Sequence, residues 1–437
     1  MARVPLVRVI VVNYHGDDLT LRCLESLVAM TWPRERLQVV LVDNGSDDGM
    51  LDAVRSRLPH VLVLQPGSNL GFGGGCNLGL RGLGEVDQVA LVNNDATVAS
   101  DWLEPLSAAL QDDPTLGAAC PKILFAASFV ELSLDSPTTS PGWGDRRELG
   151  VRLSGVRVGG EDRWRQAQLV SGFWGVQRGD GADGVHQWTG PSAQMRVPVT
   201  PGASVPDAVD LQLAADIKKS VTVRSGSESV EVRVGKETAW FRVPLAGPAY
   251  DVINNVGSQL VHGEFGADRG FLEPDHGQFD EPADVFAWCG GAVLLARRYL
   301  DDVGLFDQRY FLYYEDLDLA WRGRARGWRY RYVPTSVVRH VHSATSDQSS
   351  ALFAFYNERN RLLTLARNAP ARRITRSAVR SLLITGSYLR RDVLSPLLRG
   401  NRPCSKVAAV RLRALVSFVC LLPGTLALRW RDEAIRR

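Results

Sequence analysis

The sequence predicts an α/β protein: a doubly wound, mainly parallel sheet, split by an inserted all-β module and followed by a helical, basic tail. Three observations predict it. Apolar β-branched runs alternate with helically spaced leucines up to about residue 125, and α/β character returns over residues 250–346. Between them the chain turns to Gly, Pro, Ser and Val in short alternating runs. From Ala366 onward sixteen Lys/Arg face three acids, a balance of +13 in a chain of net charge +3, so residues 1–365 carry −10. The 437 residues exceed the ~100–200 typical of one domain. With 45% hydrophobic and 23% charged residues, the composition excludes a mainly disordered chain.

The elements follow in order. Residues 8–12 and 39–42 are strands ending in polar loops, and 61–64 and 89–92 are two more. Leu21, Leu24, Leu27 and Val28 mark a helix over 19–30. Residues 1–125 thus form a first half-domain. Residues 126–249 read as an inserted β-rich, sandwich-like module with runs such as Val221-Thr-Val-Arg and Val230-Glu-Val-Arg-Val. It holds Trp143, Trp164, Trp174, Trp188 and Trp240, which exposed would stack on sugar rings, but Trp in a small sandwich more commonly packs in the core. Residues 250–346 complete the α/β body, with a strand at 330–333. Residues 347–437 form the tail, where Arg372, Arg376 and Arg380 make one ridge and Ile374, Ala378 and Leu382 the opposing one. The uncharged stretch 414–428 is short of the ~20 residues that span a bilayer and is broken by Pro423-Gly424, so it is expected to lie on a surface. The residues 9–12 are too short an apolar run for a secretory leader. Six cysteines, none two residues from another, exclude a disulfide framework and a zinc ribbon and suit a reducing compartment.

Ligands of such sheets sit at the carboxyl ends of strands. Asp43-Asn44-Gly45-Ser46-Asp47-Asp48 follows the second strand, where a carboxylate can accept from a base imide or a ribose, or simply close an Asx turn. The glycine-rich run Asn69-Leu-Gly71-Phe-Gly73-Gly74-Gly75-Cys76-Asn77 could admit phosphates. It is neither a dinucleotide fingerprint, because Cys76 stands where the last glycine belongs, nor a P-loop. Asn93-Asn94-Asp95 ends another strand and suits a Mg²⁺ or Mn²⁺ ion bridging a diphosphate. Glu315, Asp316 and Asp318 crowd three carboxylates into four residues beside Tyr313 and Tyr314, which calls for a cation, hydrogen bonds or a catalytic proton transfer. Of His340 and His342, one residue apart, at most one is expected to ligate a metal.

In this order, together with Trp288-Cys-Gly290-Gly291, Val303-Gly-Leu-Phe-Asp307 and Phe311-Leu-Tyr-Tyr-Glu315-Asp316, these motifs resemble the family 2 inverting glycosyltransferases of GT-A fold, rhamnosyltransferase-like branch. The resemblance covers residues 6–125 and about 252–345. It implies a nucleotide-sugar site at Tyr14, Asp43, Asn69, Gly71, Phe72, Asn77, Asn93, Asn94 and Asp95. It further implies Asp316 as general base with Glu315 beside it, and an acceptor site at Trp288, Gly290, Gly291, Asp318 and Trp321. Asp95 and His340 would hold a Mg²⁺ or Mn²⁺ ion. Asn93 stands in place of the first acid of the family's D-x-D motif, the insertion at 126–249 is absent from the core family, and so is here the processive Q-x-x-R-W motif, which favours addition of one or few sugars.

The implied reaction is single displacement from a nucleoside-diphosphate sugar, such as dTDP-rhamnose or a UDP-sugar, to a hydroxyl of a cell-envelope glycan. The basic tail suggests a polyprenyl-linked acceptor and an anionic membrane surface, hence a peripheral location on the cytoplasmic face; a helical hairpin packed on the body is the plainer reading of the same residues. No nucleic-acid partner is expected. Two other classes stay open: a non-catalytic glycan-binding protein on a degenerate transferase scaffold, and, weakened by the failed glycine register, a nicotinamide oxidoreductase.

Overall fold

The computed structural model describes residues 3–47, 49–142, 144–175, 177–178, 185–341 and 350–436; Asp48, Trp143, His342 and the expected boundary at 346/347 lie outside them. The chain forms two compact units, Met1–Leu124 with Ile253–Arg437, and Phe125–Val252.

In the first unit, β1 (Val7–Asn13), β2 (Leu37–Asp43), β3 (Leu62–Leu64), β4 (Gln88–Asn93), β5 (Ala96–Val98) and β6 (Leu116–Phe125) alternate with α1 (Asp17–Val28), α2 (Met50–Arg57), α3 (Gly71–Gly79) and α4 (Leu103–Asp112). The main path across the sheet runs Ala283–Val285, Arg329–His340, β6, Ala292–Ala296, β4, β1, β2, β3. The last four strands are parallel. Their Val9, Val11, Leu41, Val89 and Leu91 are fully buried, as strands covered on both faces require. Ala292–Ala296 inserts antiparallel between β4 and β6, so the sheet is mixed, and the parallel expectation holds for one half of it. Register sets Asn13 beside Asp43 and Val12 beside Asn93, which brings three polar side chains off the sheet at one end. At the other margin β5 pairs with the end of Arg329–His340, placing His340 opposite Ala96 and next to Asp95.

The second unit is all antiparallel. The long strand Val185–Val199 pairs with Ser128–Asp135 through one half and with Arg152–Val158 through Gln187 and Trp188, so it belongs to two layers. Val130, Leu132, Leu153, Met195, Leu211 and Val221 fill the core between them. The tryptophans are not that core: Trp164 packs at its edge, Trp174 donates Nε1–H to the Glu148 carbonyl, and Trp188 and Trp240 lie under Arg152 and Arg157. Valines and leucines of neighbouring strands already fill the interlayer space, leaving the large indoles at the rim.

The C-terminal part continues the first unit with α5 (Arg297–Val303), α6 (Glu315–Arg324), α7 (Ala351–Asn368), α8 (Ala371–Tyr388), α9 (Ser395–Leu398) and α10 (Lys406–Arg436). Two expectations change here. The stretch 414–428 is not broken at Pro423 but lies within one 31-residue helix, the one described helix long and apolar enough to cross a membrane. It is tied down along its length: Arg411 pairs with Glu358 (3.2 Å), Leu415 and Phe418 pack on Leu362, Leu363 and Ala366, and Asp432 pairs with Arg367 (3.1 Å). Nor does Leu382 form a packed ridge on α8. The buried line of α8 is Ser377, Ser381 and Thr385, with Ser377 and Ser381 accepting from Arg361, while Val379, Leu382 and Leu383 face solvent, Leu383 at 70% exposure. With Leu394, Leu397 and Leu398 (88% exposed) the same outward-facing apolar character continues to the end of α9.

Candidate active site

Glu315 and Asp316 open α6 after a turn in which Phe311, Tyr313 and Tyr314 all have positive φ (64°, 68° and 71°). Non-glycine residues there are strained and persist only where the surroundings hold them. Three contacts do so. The Asn360 side-chain amide donates to the carbonyls of Tyr310, Leu312 and Tyr313 (2.9, 2.7 and 2.8 Å). Arg359 donates to the carbonyls of Arg309 and Tyr310. The Phe72 N–H donates to the Phe311 carbonyl (2.7 Å), and Gly71, at φ +72°, has no room for a Cβ against that carbonyl.

The turn aims the two carboxyls differently. Asp316 stays partly open and accepts from the Gly290 N–H (2.8 Å, Oδ2) and the Leu317 N–H (2.7 Å, Oδ1). Glu315 is buried, lies beside Gly73 of α3, and has an Oε2 without a hydrogen-bond partner. Burial, then the neighbouring Asp316, push the Glu315 carboxyl well above the usual carboxylate range. Burial raises Asp316 too, but the N–H groups of Gly290 and Leu317 pull it back. Both carboxyls stay raised on balance, Glu315 by burial and then by Asp316, and Asp316 by burial opposed by its N–H donors. The two therefore titrate as a pair in which Asp316 is the better stabilised as a carboxylate.

From Asp316 a short path reaches the second cluster. Gly290 donates to Asp316, and the carbonyl of Gly291 accepts from the Asn93 N–H (2.9 Å). The Asn93 side chain then meets His340 Nε2 at 3.3 Å, and His340 Nε2 stands 2.9 Å from Asp95 Oδ1. His340 Nδ1 meets Asn254 Oδ1 at 3.1 Å. With its Nδ1–H donated to Asn254, Nε2 presents a lone pair to a carboxylate oxygen, an arrangement that needs a proton or a cation between them. The 2.9 Å separation is that of two adjacent ligands of an octahedral ion with bonds of ~2.1 Å. Asp95 and His340 thus fit two positions of a Mg²⁺ or Mn²⁺ shell, with oxygens of a diphosphate and water able to complete it.

At the end of β2, Asp43 is buried, accepting from Asn13 Nδ2 (3.0 Å) and from the Ser46 N–H (3.3 Å), while Tyr14, after β1, is exposed. The Phe72 ring packs against Gly290, where a Cβ would lie 3.1 Å from the ring and 3.4 Å from Asp316 Oδ2.

Several of the expected contact residues already have partners within the protein. The glycine run is not a phosphate loop but the helix α3. A Cβ on Gly75 or Gly79 would lie 2.7 Å from Val12 or Ile10, so these glycines serve close packing on β1. Asn69, exposed, accepts at Oδ1 from the Gly71 N–H (2.8 Å) at the start of that helix. Asn77 is spent on both backbone groups of Phe306 (2.9 and 3.0 Å). Asn94 donates to Asn13 and Thr20 beneath the strand ends. Among the acceptor residues, Trp288 is fully buried on Phe306, and Asp318 is fully buried between Arg322 (2.9 Å), Arg367 (3.2 Å) and Asn368 (2.9 Å). Trp321 packs edge-on against Phe286. Gly290 and Gly291 are the acceptor-side residues that the structure joins to Asp316.

Four residues of the site carry no motif. Asn13 gathers Asp43, Ser46, Thr20 and Asn94. Asn254 orients His340, and Asn360 holds the turn. Asp268 accepts from Asn255 (2.5 Å), and burial pushes it up to about 6 in the field of Asp316 and His340. The only hint in the sequence is that Asn254-Asn255 ends a short apolar run.

Residues 8–149 match the model of Glycosyl transferase family 2. N-acetylglucosaminyl-diphospho-decaprenol L-rhamnosyltransferase of Mycobacterium tuberculosis is 26% identical over 393 residues, 88% of this chain and 94% of that protein. Rhamnosyltransferase WbbL of Escherichia coli is 41% identical over 68 residues, 15% of this chain and 25% of that protein. Among solved structures, GalNAc-T7 with UDP, GalNAc and Mn²⁺ superposes at TM-score 0.44 and 14% identity over 84% of this chain and 48% of that one. The GT-A-like α/β class is the one present, with a mixed sheet, an added all-β unit and C-terminal helices.

Proposed function

We propose that this chain, which carries a glycosyl transferase family 2 domain and has rhamnosyltransferases among its relatives, moves a sugar from a nucleoside-diphosphate donor to a hydroxyl of a lipid-linked glycan with inversion. A deoxythymidine-diphosphate rhamnose or a uridine-diphosphate sugar is the donor class, and a polyprenyl-diphosphate sugar, as in the name of the mycobacterial relative, is the acceptor class.

One observation carries this reading: the path Asp316–Gly290–Gly291–Asn93–His340–Asp95, which sets a carboxylate and a diphosphate-ion site at a fixed separation along a strand end. Asp316, held by two N–H groups, takes the proton of the attacking hydroxyl. Glu315, kept neutral by burial, places no second negative charge beside the incoming oxygen. Asp95 and His340 would hold a Mg²⁺ or Mn²⁺ ion, which would supply charge neutralisation to the leaving diphosphate. Asp43 and Tyr14 lie where the nucleoside would be read, and Phe72 closes the cleft between donor and Asp316.

The tail reads as peripheral. Contacts from Arg411 to Asp432 hold one face of α10 against α7 over about 30 Å at 1.5 Å per residue, which favours a helix lying along the body. The outward leucines of α8 and α9 with the flanking arginines suit the surface of an anionic membrane at its cytoplasmic face.

A panel of nucleotide-sugars incubated with and without Mn²⁺ tests the reading by release of free nucleoside diphosphate and by transfer to a polyprenyl-diphosphate sugar. Absence of both with every donor, from folded protein, would discard it.

A further inference from the structure

We infer that the arginine flank of α8, Arg373, Arg376 and Arg380, receives the diphosphate of the lipid-linked acceptor; this rests on the transferase reading above and adds a subsite to it. At 100° per residue, α8 has three faces. Ser377, Ser381 and Thr385 point into the body. Val379, Leu382 and Leu383 form an apolar flank in solvent. Arg373, Arg376 and Arg380 lie on the remaining flank, and none of them makes an ion pair among the described residues. The inward-facing arginines are matched, Arg361 and Arg411 with Glu358 (3.1 and 3.2 Å) and Arg367 with Asp318 (3.2 Å) and Asp432 (3.1 Å). Arg372, Arg390, Arg399 and Arg413 also make no ion pair among the described residues, so what sets Arg373 and Arg380 apart is their seat on a β-hairpin.

The flank is joined to the catalytic turn by a single hairpin, Ser258–Val261 with Phe265–Asp268. At its tip, Gly263 has φ +68°, and a Cβ there would lie 2.9 Å from Arg373 Cζ, so the guanidinium rests on bare backbone. Arg380 stands over the Phe265 ring, 5.6 Å from its centre, with Arg361 at 4.8 Å. The next residue, Gly266, donates its N–H to Tyr314 Oη (3.3 Å) and abuts Leu317, the neighbours of Glu315 and Asp316. Glu264 turns inward, buried 3.9 Å from Arg361, and so leaves the outer arginines unneutralised.

The order in space is therefore apolar flank, arginine flank, hairpin, Asp316. A lipid-linked diphosphate sugar has the same order of chemistry: hydrocarbon, two phosphates, hydroxyl-bearing ring. Guanidinium groups match phosphate oxygens with forked N–H donors, and two or three of them offset the charge of a diphosphate.

The test measures transfer in phospholipid-free detergent to two acceptors carrying the same sugar, one on a lipid diphosphate and one on a plain alkyl chain. Arg373→Gln and Arg380→Gln should each raise KM for the diphosphate acceptor about tenfold or more and narrow the gap between the two acceptors. Gly263→Ala, which displaces Arg373 without removing its charge, should act in the same direction, and Arg399→Gln, at the far end of α9, should not. An unchanged KM in the first three variants, with active wild type, overturns the inference alone. Inactive wild type defeats the transferase reading instead. A loss seen only with anionic vesicles would assign the arginines to lipid headgroups and also overturn the inference.

Discussion

The side-chain amide of Asn360 lies 2.8 Å from the carbonyl of Tyr313, two residues before Glu315, and so a helix of the C-terminal segment holds the catalytic turn. The same amide serves Tyr310 and Leu312, which lets three left-handed, non-glycine residues persist in four positions. Asn360→Ala takes the side-chain donor from the Leu312 and Tyr313 carbonyls, while Arg359 still serves Tyr310. It should cost about 1–3 kcal/mol of stability and lower kcat about 10–100-fold through misplacement of Asp316, with KM for the donor retained. Thermal melts and steady-state kinetics check it; a fall in stability with kcat intact would reduce Asn360 to a purely structural role.

Asp316→Asn keeps shape and loses the proton acceptor, so transfer should fall by roughly 10²–10⁴ while donor binding, followed by thermal shift, persists. Glu315→Gln should be milder, because the buried glutamate is already neutral. Wild-type transfer rates from the Asn variant would remove Asp316 from the mechanism.

Stability should depend on pH through Glu315. Its carboxyl is raised in the folded state, so the unfolded chain releases this proton first, and folding loses stability as pH climbs from the ordinary glutamate value of ~4.3 toward the raised one. Below the ordinary value the penalty is absent. The melting temperature of Glu315→Gln should fall less than that of wild type across this window. Parallel melting curves for the two proteins would contradict the assignment.

Asp95→Asn and His340→Gln should each weaken the Mn²⁺ dependence of donor hydrolysis, Asp95→Asn more strongly because it removes charge as well as a ligand. Chelation should suppress wild-type turnover reversibly. Full activity after chelation would leave His340 as a direct diphosphate contact and exclude the ion.

Leu124 and Ile253 are partners in an antiparallel pair, so the ends left by removing the second unit are already adjacent. A chain with a short turn joining them should fold and hydrolyse donor. A folded but inactive deletion would show that residues 125–252 build part of the site.

Binding to anionic vesicles should weaken with salt, each basic residue near the surface contributing ~1 kcal/mol, and neutral vesicles should not bind the protein. Leu383→Glu and Leu398→Glu should reduce binding in sedimentation assays. Extraction by detergent alone, with no release by high salt, would overturn the peripheral reading.

Much of the fold and of the site is legible in the amino-acid sequence. The parallel strands announce themselves as β-branched runs because both faces are buried, and Asp43 and Asp95 end or follow such runs, whereas Asp316 opens α6 after an aromatic turn and His340 ends an antiparallel strand. What stays hidden has a physical reason in each case. Glycine signals close approach without saying to what, so α3 reads like a phosphate loop although Gly75 and Gly79 meet Val12 and Ile10. Trp288 and Asp318 look like ligand contacts in a polar, aromatic motif, yet Phe306 and Arg322 bury them. Asn13, Asn254 and Asn360 are single amides whose partners are distant in sequence. On α8 the usual amphipathic rule points the wrong way, because the body side is satisfied by Arg361 while Val379, Leu382 and Leu383 face outward, exposed.

Helix α3 holds five glycines in nine residues, each costing about 1 kcal/mol of helix propensity against alanine. Such a segment has little tendency to coil by itself, and its helix exists only once β1 and the Phe311 turn offer surfaces too close for any other residue. Its assembly is therefore conditional on theirs, which places the donor edge of the cleft late in the folding sequence and makes it among the first parts to open. The Phe72 amide, whose partner is the Phe311 carbonyl, becomes a natural reporter: its hydrogen exchange should track the integrity of the turn that carries Asp316.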